Sequence, residues 1–97
     1  MKSEGKMSIT VTIPGSLNEW LNGKDQAVCQ GKTIGDCVSH LDGNFSGFKD
    51  RVLKDDGEIK DFVMIFLNGD NIRNLQGLQT PLKDTDEISI IPFMAGG

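Results

Sequence analysis

No stretch of the 97 residues comes near the ~20 consecutive apolar positions that a bilayer-spanning helix needs. The opening, Met1-Lys2-Ser3-Glu4-Gly5-Lys6, is polar and lacks the apolar stretch of a signal peptide. Both absences point to a cytoplasmic protein with no membrane partner. Basic residues are in deficit, with 10 Lys and Arg against 14 Asp and Glu and a net charge of −4. Nucleic-acid binding needs clustered Lys and Arg, so it is not expected. Histidine occurs once and cysteine twice. Cys29 and Cys37 match no zinc spacing, so no metal site is expected either. In a reducing compartment the two read as buried free thiols.

Catalytic machinery is missing as well. No nucleophile–base pair and no phosphate loop can be found. His40 lies beside an apolar helical stripe and has no Ser, Cys or carboxylate placed to act with it. It reads as a partly exposed helix residue. Asp55-Asp56-Gly57-Glu58 has too few oxygen ligands for a calcium loop and reads as a solvated turn. A chain this short forms one domain with one core and no room for a deep cofactor cavity.

What is present is well patterned. Ser8-Ile9-Thr10-Val11-Thr12-Ile13 alternates with period two and is rich in β-branched residues, which predicts a half-buried strand. Pro14-Gly15 stops it, and Leu17, Trp20 and Leu21 follow at helical spacing up to Asn22-Gly23. Residues 26–29 suit a second strand in a hairpin with the first. Thr33 and Asp36 resemble a capping box, with Asp shorter than the usual Glu. Ile34, Cys37, Val38 and Leu41 then share one helical face, and Asp42-Gly43-Asn44 ends the helix. Phe45, Phe48, Val52 and Leu53 suggest another short helical turn on the same core.

The continuous apolar run Phe62-Val63-Met64-Ile65-Phe66-Leu67 predicts a strand covered on both faces, at the centre of a sheet. Asn68-Gly69 is a tight-turn signal, after which Ile72 is expected to begin a short returning edge strand. Leu75, Leu78 and Leu82 belong to a compact loop plugging the core. Glu87-Ile88-Ser89-Ile90-Ile91 is a further strand, and Pro92 ends its pairing. The order predicts an α+β domain, a mixed sheet of four to five strands over one main helix, occupying residues 1–92. Val38, Leu41, Val63, Ile65, Ile88 and Ile90 are its expected core.

Residues 93–97 carry no structural signal and are expected to form a flexible tail, Phe93-Met94-Ala95-Gly96-Gly97. Glycine has no Cβ, so such a tail can thread a channel too narrow for other residues. A carboxylate on Gly97 would be ionised at neutral pH, with an ordinary pKa of about 3.5, and could attack a phosphate.

The run from Phe66-Leu67-Asn68-Gly69-Asp70-Asn71-Ile72-Arg73 through Gly77-Leu78-Gln79-Thr80-Pro81-Leu82-Lys83-Asp84 to Asp86-Glu87-Ile88-Ser89-Ile90-Ile91-Pro92, followed by Gly-Gly, resembles the ubiquitin-like β-grasp sulfur carriers. These include the molybdopterin synthase small subunit and the carriers of thiamine and cysteine synthesis. The likeness is close over the last third and extends to the rest by element order. Residues 1–6 precede the usual first strand, and Phe93-Met94 is bulkier than the small residues that usually lead to the glycines.

The resemblance implies a carrier rather than an enzyme. An E1-like adenylating enzyme, bringing ATP and Mg, would adenylate the Gly97 carboxylate. A sulfur source would convert it to a thiocarboxylate, and a sulfur-accepting synthase of molybdopterin or related biosynthesis would take the sulfur. Gly97 is then the reacting residue. Gly96, Ala95, Met94 and Phe93, with parts of the sheet, would meet the partner. No cofactor would be bound by the chain itself. Three other roles share these features: a ubiquitin-like modifier joined to lysines through Gly97, a subunit completing a partner's active site, and a plain interaction module.

Overall fold

The computed structural model describes residues 8–92. Alternating β-branched residues form β1 (Ile9–Thr12), which pairs antiparallel with β2 (Gln26–Cys29), Ile9 opposite Cys29. Between them lies a 3-10 helix (Gly15–Leu21), closed by Asn22 in the left-handed conformation at φ 55. The main helix, α1 (Ile34–Asn44), starts where the Asp36 N–H donates to Thr33 Oγ1 at 3.2 Å. The short Asp36 side chain does not close the box on Thr33. Its Oδ2 instead accepts from the Lys32 N–H at 3.1 Å. Ile34, Cys37, Val38 and Leu41 are all buried, as their spacing requires. A short helix, α2 (Phe48–Val52), follows and buries Phe48 and Val52.

The sheet has the order β2-β1-β5-β3-β4, with β3 at Val63–Leu67, β4 at Asp70–Asn71 and β5 at Glu87–Pro92. β5 runs parallel to β1 and antiparallel to β3, so the sheet is mixed. This is the expected α+β, ubiquitin-like β-grasp. Val38, Leu41, Val63, Ile65, Ile88 and Ile90 all lie in its core.

Four details depart from the expectation. The central strand is β5, not the apolar run at β3. β3 pairs with β5 over five residues but with β4 over only two. Only one face of β3 is buried: Val63, Ile65 and Leu67 face the core, while Met64 and Phe66 are half-buried and Phe62 is 49% exposed. An unbroken apolar run signals two apolar faces. It does not say that both are covered by the same chain. Ile72 begins a 3-10 helix (Ile72–Asn74) rather than a strand, because the Asn71 side chain caps it, accepting from the Arg73 N–H at 2.9 Å. Leu82 plugs the core as expected, but Leu75 is 44% exposed. Pro92 ends the ladder as expected, standing opposite Val63 as the last residue of β5.

Asn68 and Gly69 have φ values of 50 and 93, which makes the turn after β3 left-handed at both central residues. The Asn68 side chain then ties this turn to β5. Its Nδ2 donates to Asp86 Oδ1 at 3.0 Å, and its Oδ1 accepts from the Glu87 N–H at 2.9 Å. Thr80 is buried and does similar work in the following loop, accepting from the Gln76 N–H and donating to the Gly77 carbonyl. The Asn-Gly and Asp-Glu pairs that carry the family resemblance are therefore scaffold for β5, the strand that delivers the chain to residues 93–97.

Candidate functional site

β5 leaves the middle of the sheet at Pro92. Gly97, Gly96, Ala95, Met94 and Phe93 lie outside the described residues, as does the extension at residues 1–7. The described part of the site is the surface from which β5 departs. Residues alternate across a strand, so Ser89 and Ile91 face away from α1 while Ile88 and Ile90 face the core. Ile91 stands opposite Met64, and Ser89 opposite Phe66. Ile91 is 39% exposed, and Phe62, just before β3, carries Lys60 Nζ 5.9 Å from its ring centroid. The outer face of β3 and β5 is thus an apolar strip that ends where the tail begins.

A groove continues this strip. β1 pairs with β5 only as far as Ser89, and Ile13-Pro14 then diverges towards the 3-10 helix. The gap of about 240 Å³ is lined by Thr12, Ile13, Pro14, Ser89, Ile90 and Ile91. It runs beside the last residues of β5. An extended chain or an apolar side chain of a partner could lie there, against backbone that β1 does not pair.

The titratable candidates stand elsewhere. His40 is exposed on α1, and its Nδ1 accepts from the Gln30 N–H at 3.3 Å. This is a structural contact with the end of β2. Cys29 and Cys37 are free and buried, as read from the sequence. A hydrogen bond to Cys37, then burial, pushes the Cys29 thiol up, while the same bond lowers Cys37 against the cost of burial. Among the described residues, no cluster of three His, Cys, Asp or Glu could hold a metal ion. Nor is any helix among them long and apolar enough to cross a membrane.

The sequence points to Phe93 and Met94 with parts of the sheet as the docking surface and does not single out Met64, Phe66 or Ile91. A signal for one of them was present. Ile90-Ile91 breaks the alternation of β5, so one of the two had to face outward.

A model described as the ThiS family matches residues 11–97. The chain belongs to the ThiS family. The sulfur carrier protein CysO of Mycobacterium tuberculosis is 34% identical over 93 residues, which cover 94% of this chain and all of that protein. Its crystal structure superposes with a TM-score of 0.83 at 32% identity, covering 89% of this chain and 99% of that one. The crystal structure of an Amycolatopsis orientalis BexX/CysO complex gives a TM-score of 0.85 at 28% identity, over 92% of this chain and 99% of that chain. The small archaeal modifier protein 1 of Methanosarcina acetivorans gives 0.80 at 30% identity, over 95% and 98%. The ubiquitin-like β-grasp sulfur carriers that the Asn68-Gly69 region resembles are thus this chain's own family. ThiS-family relatives of this kind are carriers, not catalysts, in keeping with the missing nucleophile–base pair.

Proposed function

We propose that this ThiS-family chain is a cytoplasmic sulfur carrier whose Gly97 carboxylate becomes a thiocarboxylate. The observation that carries the reading is the family match, which runs through Gly96-Gly97. In the proposed cycle an E1-like enzyme supplies ATP and Mg. The Gly97 carboxylate attacks the α-phosphate and pyrophosphate leaves. Sulfide displaces AMP directly, or a persulfide displaces it to give an acyl disulfide whose S–S bond a second thiol then cleaves, itself ending in a disulfide; either way one sulfur remains on the carbonyl carbon of Gly97. A synthase of molybdopterin or related biosynthesis accepts that sulfur. Phe93, Met94, Ala95 and Gly96 meet the partner, the glycines threading its channel.

The strip on β3 and β5 supports this cycle energetically. Ordering about five tail residues costs roughly 5–10 kcal/mol of backbone entropy. Burial of a few hundred Å² of apolar surface, at about 25 cal/mol per Å², offsets that. Met64, Phe66 and Ile91 offer such surface immediately before the tail. Ile91→Asp places a charge in that contact without touching the core. It should lower kcat/KM for adenylation by about 10–100-fold with unchanged circular dichroism. A change below about twofold would remove the strip from the docking surface.

The test of the function itself is intact mass after incubation with the activating enzyme, ATP and a sulfur source, followed by an alkylating thiocarboxylate probe. One probe per chain, located at Gly97, is the expected result. A second reading, a protein modifier, is favoured by the similarity to small archaeal modifier protein 1. It predicts isopeptide-linked ladders in cells. Neither labelled Gly97 nor ladders would leave a binding role alone.

A further inference from the structure

The two edges of the sheet differ. β4 has only two residues, too few to template a partner, whereas β2 offers four. β2 also carries none of the devices that keep an edge from pairing. Gln26-Ala27-Val28-Cys29 has no charge and no proline, and its register on β1 runs without a bulge. The hydrogen bonds show which of its backbone groups are free. The Ile13 N–H donates to the Asp25 carbonyl at 2.9 Å, which makes Ile13 and Asp25 a hydrogen-bonded antiparallel pair. Such pairs alternate along a ladder, so Ala27 and Cys29 bond to β1 while Gln26, Val28 and Gln30 turn their N–H and carbonyl groups outward. His40 Nδ1 takes the Gln30 N–H at 3.3 Å, and at the other end the Leu21 carbonyl takes the Lys24 N–H at 3.1 Å. Between these two stops the outward groups of Gln26 and Val28 find no partner among the described residues. The Val28 side chain beside them is 60% exposed.

We propose that this edge is an interface for a second copy of the chain, the two β2 strands pairing antiparallel about a two-fold axis at Ala27. Gln26 then stands opposite Val28 of the second copy, and each N–H donates to the other residue's carbonyl. The register follows from what is free. An axis at Val28 would need the Gln30 N–H, which His40 holds, and would set Lys24 opposite Lys32 of the second copy. An axis at Gln26 would need the Lys24 N–H, which Leu21 holds. A slip by one residue would set outward side chains of one copy beside core-facing ones of the other. The axis at Ala27 uses each free group and none that is taken. It also puts the smallest side chain of β2 at the closest approach, because Ala27 meets its copy in a non-hydrogen-bonded pair with Cα atoms about 4.5 Å apart.

The charges at the seam are complementary. Asp25 stands opposite Cys29 of the second copy, one residue from the Gln30 that His40 holds. With Nδ1 accepting the Gln30 N–H, the ring N–H of His40 is at Nε2, free to donate to that carboxylate. The two-fold repeats this carboxylate–imidazole pair at the other end of the seam. β5 lies two strands away from β2 in the sheet order, so both docking strips and both tails stay open in the pair. The pairing is independent of the sulfur-transfer cycle.

The experiment uses the full-length chain. Four-residue strands make a small interface, so a weak dimer is expected, with a dissociation constant of roughly 10–500 μM. In sedimentation, the average mass should climb from one chain towards two between about 10 μM and 1 mM. Amide exchange followed by NMR reads the register. The Gln26 and Val28 amides should exchange about two- to tenfold more slowly at the higher concentration, while Ala27 and Cys29 are protected at both. Val28→Pro removes an N–H that makes no bond within the chain, so the sheet should survive and the dimer weaken by about 10–100-fold. Should that variant fail to fold, Val28→Lys places a charge on the same exposed edge and should weaken the dimer likewise. Ile91→Asp, on the docking strip, should leave it unchanged. A chain that stays monomeric at about 1 mM would overturn the proposal. So would a dimer that survives Val28→Lys, or Gln26 and Val28 amides equally protected at both concentrations, which would mean that the chain itself covers this edge.

Discussion

Adding one residue after Gly97, or deleting Gly97, is expected to abolish sulfur loading while leaving circular dichroism and the melting temperature unchanged. The reason is geometric. An extra residue displaces the carboxylate by up to about 3.5 Å, and a reacting pair must sit about 3–3.5 Å apart to be in a near-attack arrangement. Gly96→Val should block activation by a different route, since a β-branched side chain does not fit a channel shaped for bare backbone. The fold gives no reason for either change to unfold the domain. The core is complete within residues 9–90, and β5 is held at its start by Asn68 and at its end by β3. ATP–pyrophosphate exchange with the activating enzyme measures the first step, and intact mass measures the second. If the extended chain still supports exchange and gains sulfur, the Gly97 carboxylate is not the reacting group. The carrier and modifier readings would then fall together.

The elements that were legible in the sequence are those whose signal is local. β1 announces itself by alternation, α1 by a cap and a four-residue stripe, and the turn after β3 by Asn-Gly. What was not legible is what depends on partners distant in the chain. The run at residues 62–67 is apolar on both faces, and two environments produce that pattern: burial under a second layer, or a face kept apolar for something outside the chain. Among the described residues the outer face is not enclosed, since Val63, Ile65 and Leu67 are buried on one side while Met64 and Phe66 are half-buried on the other. Ile72 has a β-branched side chain that suits a strand, but the Asn71 side chain caps a 3-10 helix that begins there. The reacting end proposed for Gly97 is read differently. A carrier's chemistry is covalent and terminal, so it needs no three-dimensional constellation to be read. The docking strip does need one, as Met64 and Ile91 are far apart in sequence and meet only through the register of β3 on β5.

That same register sets the largest expected stability effect. Ile65 is 1% exposed and stands opposite Ile90, itself 1% exposed, in the middle of the β3–β5 ladder. Ile65→Ala removes three carbons from a site closed on the inner side of the sheet. The loss should be about 2–5 kcal/mol, combining the lost transfer energy with a cavity that the sheet cannot collapse around. A domain of this size has roughly 5–15 kcal/mol of stability in total, so the variant should unfold at markedly lower urea. Met64→Ala, one residue away on the outer face, is the matched control. Met64 already meets solvent, so its truncation leaves no enclosed void, and the expected loss is below about 1 kcal/mol. The two variants should also part in function. Ile65→Ala should load sulfur normally wherever it remains folded, whereas Met64→Ala should stay folded and lose docking. Equal losses of stability at the two positions would mean that both faces of β3 are enclosed. The apolar strip would then be core, and the tail would need another surface to bring it to its partner.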